Sequence, residues 1–322
     1  MTTPPVSRLV VAIDDGYSSY DQEEHLLATV GARLEVRPCA RSERKAIEAV
    51  RGADVVLVRE SPVTRSVIDA MDRCRGVVRY GIGVDNIDLD AARERRIAVA
   101  NVPDYGIEEV STHAVALLLA VVRRIVVRDR ELRAGRWSMG KVDAMFRLRD
   151  RTLGFVGYGR IGRQTHEKLA GFGFGRVMVH DPLAELPADV EAASIDEICA
   201  AADVISLHAP LNAQTRHLID AKRLALMRPT AILVNTSRGG LVDTDALHAA
   251  IAKGRLLGAG LDVFEHEPPD TAHPLFQLDN VVVSDHIGWY SEEAMREVQR
   301  KAAEEAVRVL SDARPRHWLN AW

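Results

Sequence analysis

The segment at residues 152–162, TLGFVGYGRIG, constrains this chain more than any other. A largely apolar run reaches Val156 and then gives way to Gly157, Gly159 and Gly162, spaced G-x-G-x-x-G. Between a buried strand and a helix, each glycine has a mechanical use. The first permits a tight turn, the second lets backbone approach a pyrophosphate, and the third lets the helix pack against the strand. Amides near Arg160 and Ile161 would then face phosphate at a helix N-terminus, where peptide dipoles favour negative charge. The next strand pattern, RVMVHDP, ends at Asp181, 19 residues after Gly162. A carboxylate there can accept from both hydroxyls of an adenosine ribose and would repel a 2′-phosphate, so NAD is expected rather than NADP. Taken alone, the loop also suits a flavin or nucleotide-sugar enzyme.

The strand–helix alternation continues almost from end to end. Strand candidates in the first third are LVVAI (9–13), RLEVR (33–37), VVLVR (55–59), GVVRY (76–80) and IAVAN (97–101). The middle adds RVMVHD, DVISLHA, AILVNTS, LGAGLDV and NVVVSDH, with helix-period segments between them. Continuous apolar strands separated by helices indicate an α/β protein whose parallel sheets are covered on both faces. At 322 residues the chain is long for one core, so two domains are expected. Residues 107–134 keep an apolar stripe for about seven turns and predict one long helix between the two groups of strands. The last amphipathic segment, SEEAMREVQRKAAEEAVRVL, has no strand after it and is expected to return to the first domain.

Charge and cysteine usage exclude several function classes. A net charge of −4 offers no basic field for nucleic acid or an anionic membrane. Basic residues are densest over 123–151, where Asp129, Glu131, Asp143 and Asp150 interrupt them, so a solvated helix face or a subunit contact is expected. Cys39, Cys74 and Cys199 lie far apart with no CxxC pair, which indicates neither a disulfide framework nor a zinc site and suits a reducing cytosol. No metal is expected. The N-terminus MTTPPVSRLVVAIDD lacks a signal-peptide pattern, and no apolar run approaches the roughly 18 residues of a membrane span.

Three later strand ends carry ionisable residues. VNTSRGGLVD has Arg238, LDVFEHEPP has Asp262 and Glu267, and VSDHIG has His286. In a parallel α/β sheet the C-terminal strand ends share the edge that carries the glycine loop, so Arg238, Glu267 and His286 would converge beside a bound nicotinamide. A histidine near a strand end is by itself more often an ordinary hydrogen-bonded residue; convergence is what singles His286 out.

With these residues the chain resembles the D-isomer-specific 2-hydroxyacid dehydrogenases. The resemblance extends over GIGVDNIDLDAA (81–92), ANVPDYGIEEVSTHAVALLL (100–119) and LMRPTAILVNTSRGGLVDTDAL (226–247). Within that family HIGWYSEEAM is most similar to the C-terminal-binding-protein branch, which has Trp three residues after the catalytic His. The resemblance implies two doubly wound domains, a Rossmann NAD-binding domain at 101–293 inserted into a flavodoxin-like substrate domain at 1–100 and 294–322, with the active site in the cleft and a homodimer. It implies that Arg238 binds the carboxylate and carbonyl oxygen of a 2-oxo acid. His286 is the implied general acid in reduction and base in oxidation, and Glu267 would hold its ring and raise its pKa. The same resemblance assigns His208, Ala209, Pro210, Thr215, Thr236, Ser237, Asp262 and Gly288 to the cofactor, with Asp262 orienting the carboxamide. Amides of Ile82 and Gly83, with Arg79, Arg59 and Trp289, are the substrate-side candidates. Arg79 reads equally as a strand-end arginine paired to a surface acid, and Trp289 as packing at a hinge.

Two departures matter. Asp285 stands where the family usually has Pro, and an aspartate there is expected to point into solvent. The given sequence runs to Trp322, and the regulatory domain appended to some phosphoglycerate dehydrogenases is not expected. The leading expectation is an NAD-dependent 2-hydroxyacid dehydrogenase working mainly as a 2-oxoacid reductase. Formate dehydrogenase is disfavoured because that branch has Gln where Glu267 stands. A phosphite or phosphonopyruvate-type dehydrogenase, or a dinucleotide-sensing scaffold without turnover, are the alternatives.

Overall fold

The computed structural model describes residues 8–137 and 144–322, and the chain divides into two compact units, Met1–Gly106 with Ser291–Trp322, and Ile107–Tyr290. The start of the N-terminal segment, and the part of the basic stretch that holds Asp143, lie outside the described residues. The junctions fall at 106/107 and 290/291. Helix starts set them: Ile107 opens one helix, and Ser291 caps another by accepting from the Ala294 amide at 2.9 Å.

The first unit contains β1 (Arg8–Ala12), α1 (Asp21–Ala28), β2 (Ala32–Val36), α2 (Glu43–Ala49), β3 (Val55–Val58), α3 (Arg65–Asp69), β4 (Gly76–Arg79), α4 (Leu89–Glu94) and β5 (Ala98–Ala100). Its strands are all parallel in the order β2-β1-β3-β4-β5, which is the flavodoxin-like order. Every residue of β3 is buried, as a strand covered on both faces requires.

The second unit contains α5 (Ile107–Val122), α6 (Ile125–Arg133), β6 (Thr152–Val156), α7 (Arg160–Leu169), β7 (Arg176–His180), β8 (Glu191–Ala192), α8 (Ile195–Ala201), β9 (Val204–Leu207), α9 (Ala221–Leu226), β10 (Ile232–Asn235), α10 (Thr244–Ala252), β11 (Gly258–Leu261) and β12 (Val281–Val283). The strand order β12-β11-β10-β9-β6-β7-β8 reverses direction at β6, so the glycine loop that follows β6 lies at the switch point. The two-residue edge strand β8 has no signature in the sequence, because Glu191 and Ala192 are exposed and carry no apolar pattern.

The final helix, α11 (Glu292–Leu310), packs on α1, β3 and β4 of the first unit. Gly76 permits the approach, since a Cβ there would lie 2.9 Å from a Val309 methyl.

The single long helix expected over 107–134 is two helices, bent by 60°. Arg124 adopts the left-handed conformation at φ 52° and breaks the run. The apolar periodicity is continuous, but it serves two surroundings. Val110, Ala114, Leu117, Leu118, Val121 and Val122 of α5 are buried, whereas Ile125, Val126 and Leu132 of α6 are exposed. A hydrophobic stripe reports a face and not the direction in which the chain continues. No single helix among the described residues is long and apolar enough to cross a membrane.

Both sheets align their strands with one device. Asp54 receives the Leu9 amide on its carboxylate at 2.7 Å while its own amide donates to Leu9 O at 2.7 Å. Asp203 does the same with Thr152, at 3.0 and 2.8 Å, and also pairs with Arg151. Fixing where β9 starts beside β6 sets which residues meet at the other end, where His208 donates its amide to Val156 O at 2.7 Å. Asp203→Ala leaves the Thr152 amide without its acceptor. It is expected to cost about 1–3 kcal/mol of unfolding free energy, measured by urea titration.

Candidate active site

The glycine loop leaves β6 in a conformation that excludes a side chain at its first position. Gly157 has φ +90°, and a Cβ there would lie 2.6 Å from the Ala209 amide nitrogen. Gly162 lets α7 close down, because its Cβ would meet Gly157 O at 2.7 Å. Gly159 is different: a Cβ there would meet nothing within 4 Å, so the approach to the start of α7 is open. No side chain caps that helix start, whose first residues are Arg160 and the half-buried Ile161.

Asp181 closes the loop from the next strand. Its carboxylate accepts from the Tyr158 amide at 2.7 Å and from the Leu183 and Ala184 amides at 2.9 and 3.1 Å. Burial opposes its charge, but these three donors hold the carboxyl below its usual range. A contact not read from sequence braces the same loop. The Tyr158 hydroxyl meets His166 Nδ1 at 2.6 Å, and the Arg163 guanidinium lies 4.9 Å from the tyrosine ring centre. Residues eight apart, one of them in a turn, form no recognisable periodic pair.

The remaining cofactor candidates divide by what their polar atoms already do. His208 Nε2 pairs with Ser206 Oγ at 2.8 Å, and burial pushes the ring pKa down to about 4, so it is neutral. Thr215 donates to Pro210 O at 2.7 Å, and Ser237 donates to Ala209 O at 2.6 Å, so both hydroxyls hold loops together. Thr236 Oγ1, at the end of β10, is buried with no partner among the described residues. An orphaned buried hydroxyl and an open approach at Gly159, both after strands of the same parallel sheet, fit a dinucleotide that brings its own polar atoms.

Arg238, Glu267 and His286 arrive from the ends of β10, β11 and β12. Asn235 fixes the first turn, donating to Arg238 O at 2.9 Å and accepting from the Ser237 amide at 3.0 Å. Arg238 Nη1 donates to Ser237 O at 2.7 Å. Gly239 presses on the Phe264 backbone, where no Cβ fits, which brings this turn against the loop that carries Glu267. Glu267 Oε1 accepts from the Phe264 amide at 3.1 Å, and its Oε2 lies 2.7 Å from His286 Nδ1. Burial raises the Glu267 pKa, but the bond to His286 and its charge, the Phe264 amide and the charge of Arg238 outweigh it and leave the carboxyl lowered. An ionised carboxylate only accepts, so the His286 proton toward it sits on Nδ1 and Nε2 is the nitrogen left for chemistry. The ring is 38% exposed, open enough to meet a reactant.

His286 itself has φ +58°, a left-handed conformation for a residue with a Cβ. Asp262 holds it there. The Asp262 carbonyl accepts from the His286 amide at 2.8 Å, and its carboxylate accepts from the Ile287 and Gly288 amides at 3.0 Å each. Ser284 donates to the same carboxylate at 2.7 Å. A Cβ on Gly288 would lie 2.7 Å from Asp262 Oδ2, so the bend needs glycine. Asp285 is exposed, while Trp289 is half-buried with its ring edge-on to Tyr290 at 5.6 Å.

On the first unit, the Arg79 guanidinium lies over Gly81, beside the Tyr105 hydroxyl. Ile82, next to Gly83, offers its carbonyl to Asn101 Nδ2 at 2.6 Å. Arg59 is engaged by Gly16 O at 3.2 Å, Glu60 at 3.2 Å and the face of Tyr17 at 5.8 Å. The Asp14 carboxylate accepts from the Arg59 amide at 2.7 Å and the Ser61 hydroxyl at 2.6 Å, which fixes this loop.

The family model for the D-isomer specific 2-hydroxyacid dehydrogenase, NAD binding domain, matches residues 115–288. A D-3-phosphoglycerate dehydrogenase of Methanocaldococcus jannaschii is 38% identical over 277 residues, covering 84% of this chain and 52% of its own, so this chain spans about half of that relative. A glyoxylate reductase of Korarchaeum cryptofilum is 37% identical over 287 residues, 87% of this chain and 86% of its own. A crystal structure of a Thermus thermophilus protein superposes with a TM-score of 0.88 at 34% identity, covering 97% of this chain and 99% of that one.

Gly157→Ala combines a left-handed backbone with a collision against the Ala209 amide. It is expected to weaken NADH binding at least about tenfold, measured by quenching of protein fluorescence. The Glu267 carboxyl, lowered from 4.5, binds its proton more weakly folded than unfolded. Its contribution to stability is therefore fully present above about pH 4.5 and is lost as pH falls through the lowered value. Thermal melting followed from pH 7 to pH 3 is expected to show an acid limb that is shallower in Glu267→Gln than in the parent.

Proposed function

The chain belongs to the D-isomer-specific 2-hydroxyacid dehydrogenase family, and from that premise we propose that it is an NAD-dependent reductase of a small 2-oxo acid. The observation that carries the proposal is the 2.7 Å contact between His286 Nδ1 and Glu267, made where Arg238 also arrives. When bound, the reduced nicotinamide supplies the hydride for the substrate C2.

The side chains do the rest. Arg238 offers a planar fork that can bind the substrate carboxylate and its carbonyl oxygen together, which fixes the face presented. As C2 gains hydride, its oxygen gains negative charge, and His286 delivers the proton from Nε2. Glu267 stabilises the imidazolium before transfer and keeps the ring from turning, because its own position is set by the Phe264 amide at 3.1 Å. In the oxidative direction Nε2 takes the proton back. Asp181 supports NAD over NADP, since its ionised carboxylate stands at the end of β7 beside the glycine loop.

We read the first unit as the substrate domain, with Arg79 and the amides of Ile82 and Gly83 as substrate contacts. Arg59 is already paired with Glu60, which argues against it as a site for a second anionic group of the phosphonopyruvate kind. Exposed Ile125, Val126 and Leu132 on α6, with Trp137 at 75% exposure, support a homodimer through this face. Three free, buried cysteines suit a reducing cytosol. Trp289, three residues past His286, favours a second reading as a dinucleotide-sensing scaffold of the C-terminal-binding-protein kind, which would bind NADH and turn over no 2-oxo acid.

The test is NADH oxidation against a panel of 2-oxo acids that includes glyoxylate and thioether, aromatic, dicarboxylate and phosphonate members, with phosphite in the reverse direction. For the accepted substrate, His286→Ala is expected to lower kcat by about 10²–10⁴ with NADH affinity retained. Equal loss of binding and turnover would overturn the role given to His286.

A further inference from the structure

The left-handed turn at His286 depends on a buried carboxylate, and a side chain outside the proposed catalytic set holds that carboxylate. His113, on α5, places Nε2 2.8 Å from Ser284 Oγ and 3.3 Å from Asp262 Oδ1. Ser284 has one hydroxyl proton, and at 2.7 Å it goes to Asp262 Oδ1, because an ionised carboxylate only accepts. The serine oxygen must therefore receive its hydrogen bond from His113. That fixes Nε2 as the protonated nitrogen, shared between Ser284 and Asp262. Burial opposes the charge on Asp262, and the His113 bond is the largest of the effects that lower its pKa again. The ring also abuts the bend, since a Cβ on Gly288 would come within 3.1 Å of His113 Cδ2.

We infer that His113 is a positioning residue for His286: its Nε2–H and the Ser284 hydroxyl hold the Asp262 carboxylate where it gathers the amides of Ile287 and Gly288, and so aim His286 Nδ1 at Glu267. The chain of contacts is continuous. His113 and Ser284 satisfy one oxygen, that oxygen also accepts from Ile287, and the other accepts from Gly288. With the imidazole donor removed, Ser284 can turn its proton elsewhere and the carboxylate can rotate. A residue at φ +58° has no local preference to keep it in place once those amides are released. The ring of His286 would then lose its register with Glu267 Oε2.

The inference rests on the proposed reductase reading for its kinetic readout, so the experiment includes one readout that does not. His113→Phe keeps a ring and removes the donor, and His113→Gln returns an N–H. The downfield proton resonance of His286 Nδ1, identified by its loss in His286→Ala, reports the Glu267 contact in the NADH-bound protein. His113→Phe is expected to broaden or shift that resonance and to lower kcat by roughly 10- to 100-fold. His113→Gln is expected to restore both kcat and the resonance to within about threefold of the parent. An unchanged resonance and kcat in His113→Phe, or a loss that His113→Gln does not restore, would overturn the inference. Should His113→Phe fail to fold, Ser284→Ala removes the relaying hydroxyl from the other side and is judged by the same two outcomes. If the parent protein reduces no 2-oxo acid, the proposed function falls while the resonance still decides the role of His113.

Discussion

A residue with a Cβ resists the left-handed conformation by about 1–2 kcal/mol, and His286 adopts it at φ +58°. What holds it is the buried Asp262, whose carbonyl and carboxylate gather the amides of residues 286–288. The arrangement has a consequence for chemistry. A histidine at the tip of an ordinary extended strand would follow the pleat, whereas this one is turned so that Nδ1 meets Glu267 at 2.7 Å and that contact leaves Nε2 uncommitted to the carboxylate. Strain at the proposed reactive residue, and a carboxylate dedicated to maintaining it, belong to one design.

Carboxylates do comparable work elsewhere in both units. Asp54 and Asp203 align strand starts, Asp14 gathers the loop that follows β3, and Asp181 ties the glycine loop to the end of β7. Each accepts backbone N–H groups at places where the ladder ends and those donors have no partner. One side chain with two acceptor oxygens can satisfy several such donors and link two loops. For Asp181 the same bonds keep the carboxyl ionised, which preserves the negative charge that would face an adenosine ribose.

The cofactor side shows how unevenly residue roles can be read in advance. Gly157, Gly159 and Gly162 form a recognisable spacing; a Cβ has no room at the first and third and meets nothing within 4 Å at the second. Thr215 and Ser237 also look like ligands in a one-dimensional reading, yet both hydroxyls bind loop carbonyls. Thr236, adjacent to Ser237 and no more conspicuous in sequence, is the one whose buried hydroxyl has no partner among the described residues. Hydrogen-bond direction is set by neighbours far away along the chain, so residue type alone cannot distinguish these hydroxyls.

The α/β class, the parallel sheets and most strands follow from apolar runs of four or five residues between helix-period segments, since a strand buried on both faces has little other option. The convergence of Arg238, Glu267 and His286 follows equally, because parallel strands deliver their C-terminal ends to one edge. The break at Arg124 does not follow, as the stripe over 107–134 is periodic throughout while burial changes partway along it. Nor do the His113–Ser284–Asp262 contacts, whose members are separated by as many as 171 residues and carry no mutual pattern. Sequence alone determined what repeats along the chain: periodicity, strand ends and the glycine spacing. Only the tertiary structure decided which donor meets which acceptor, because that depends on distances between segments no local preference encodes.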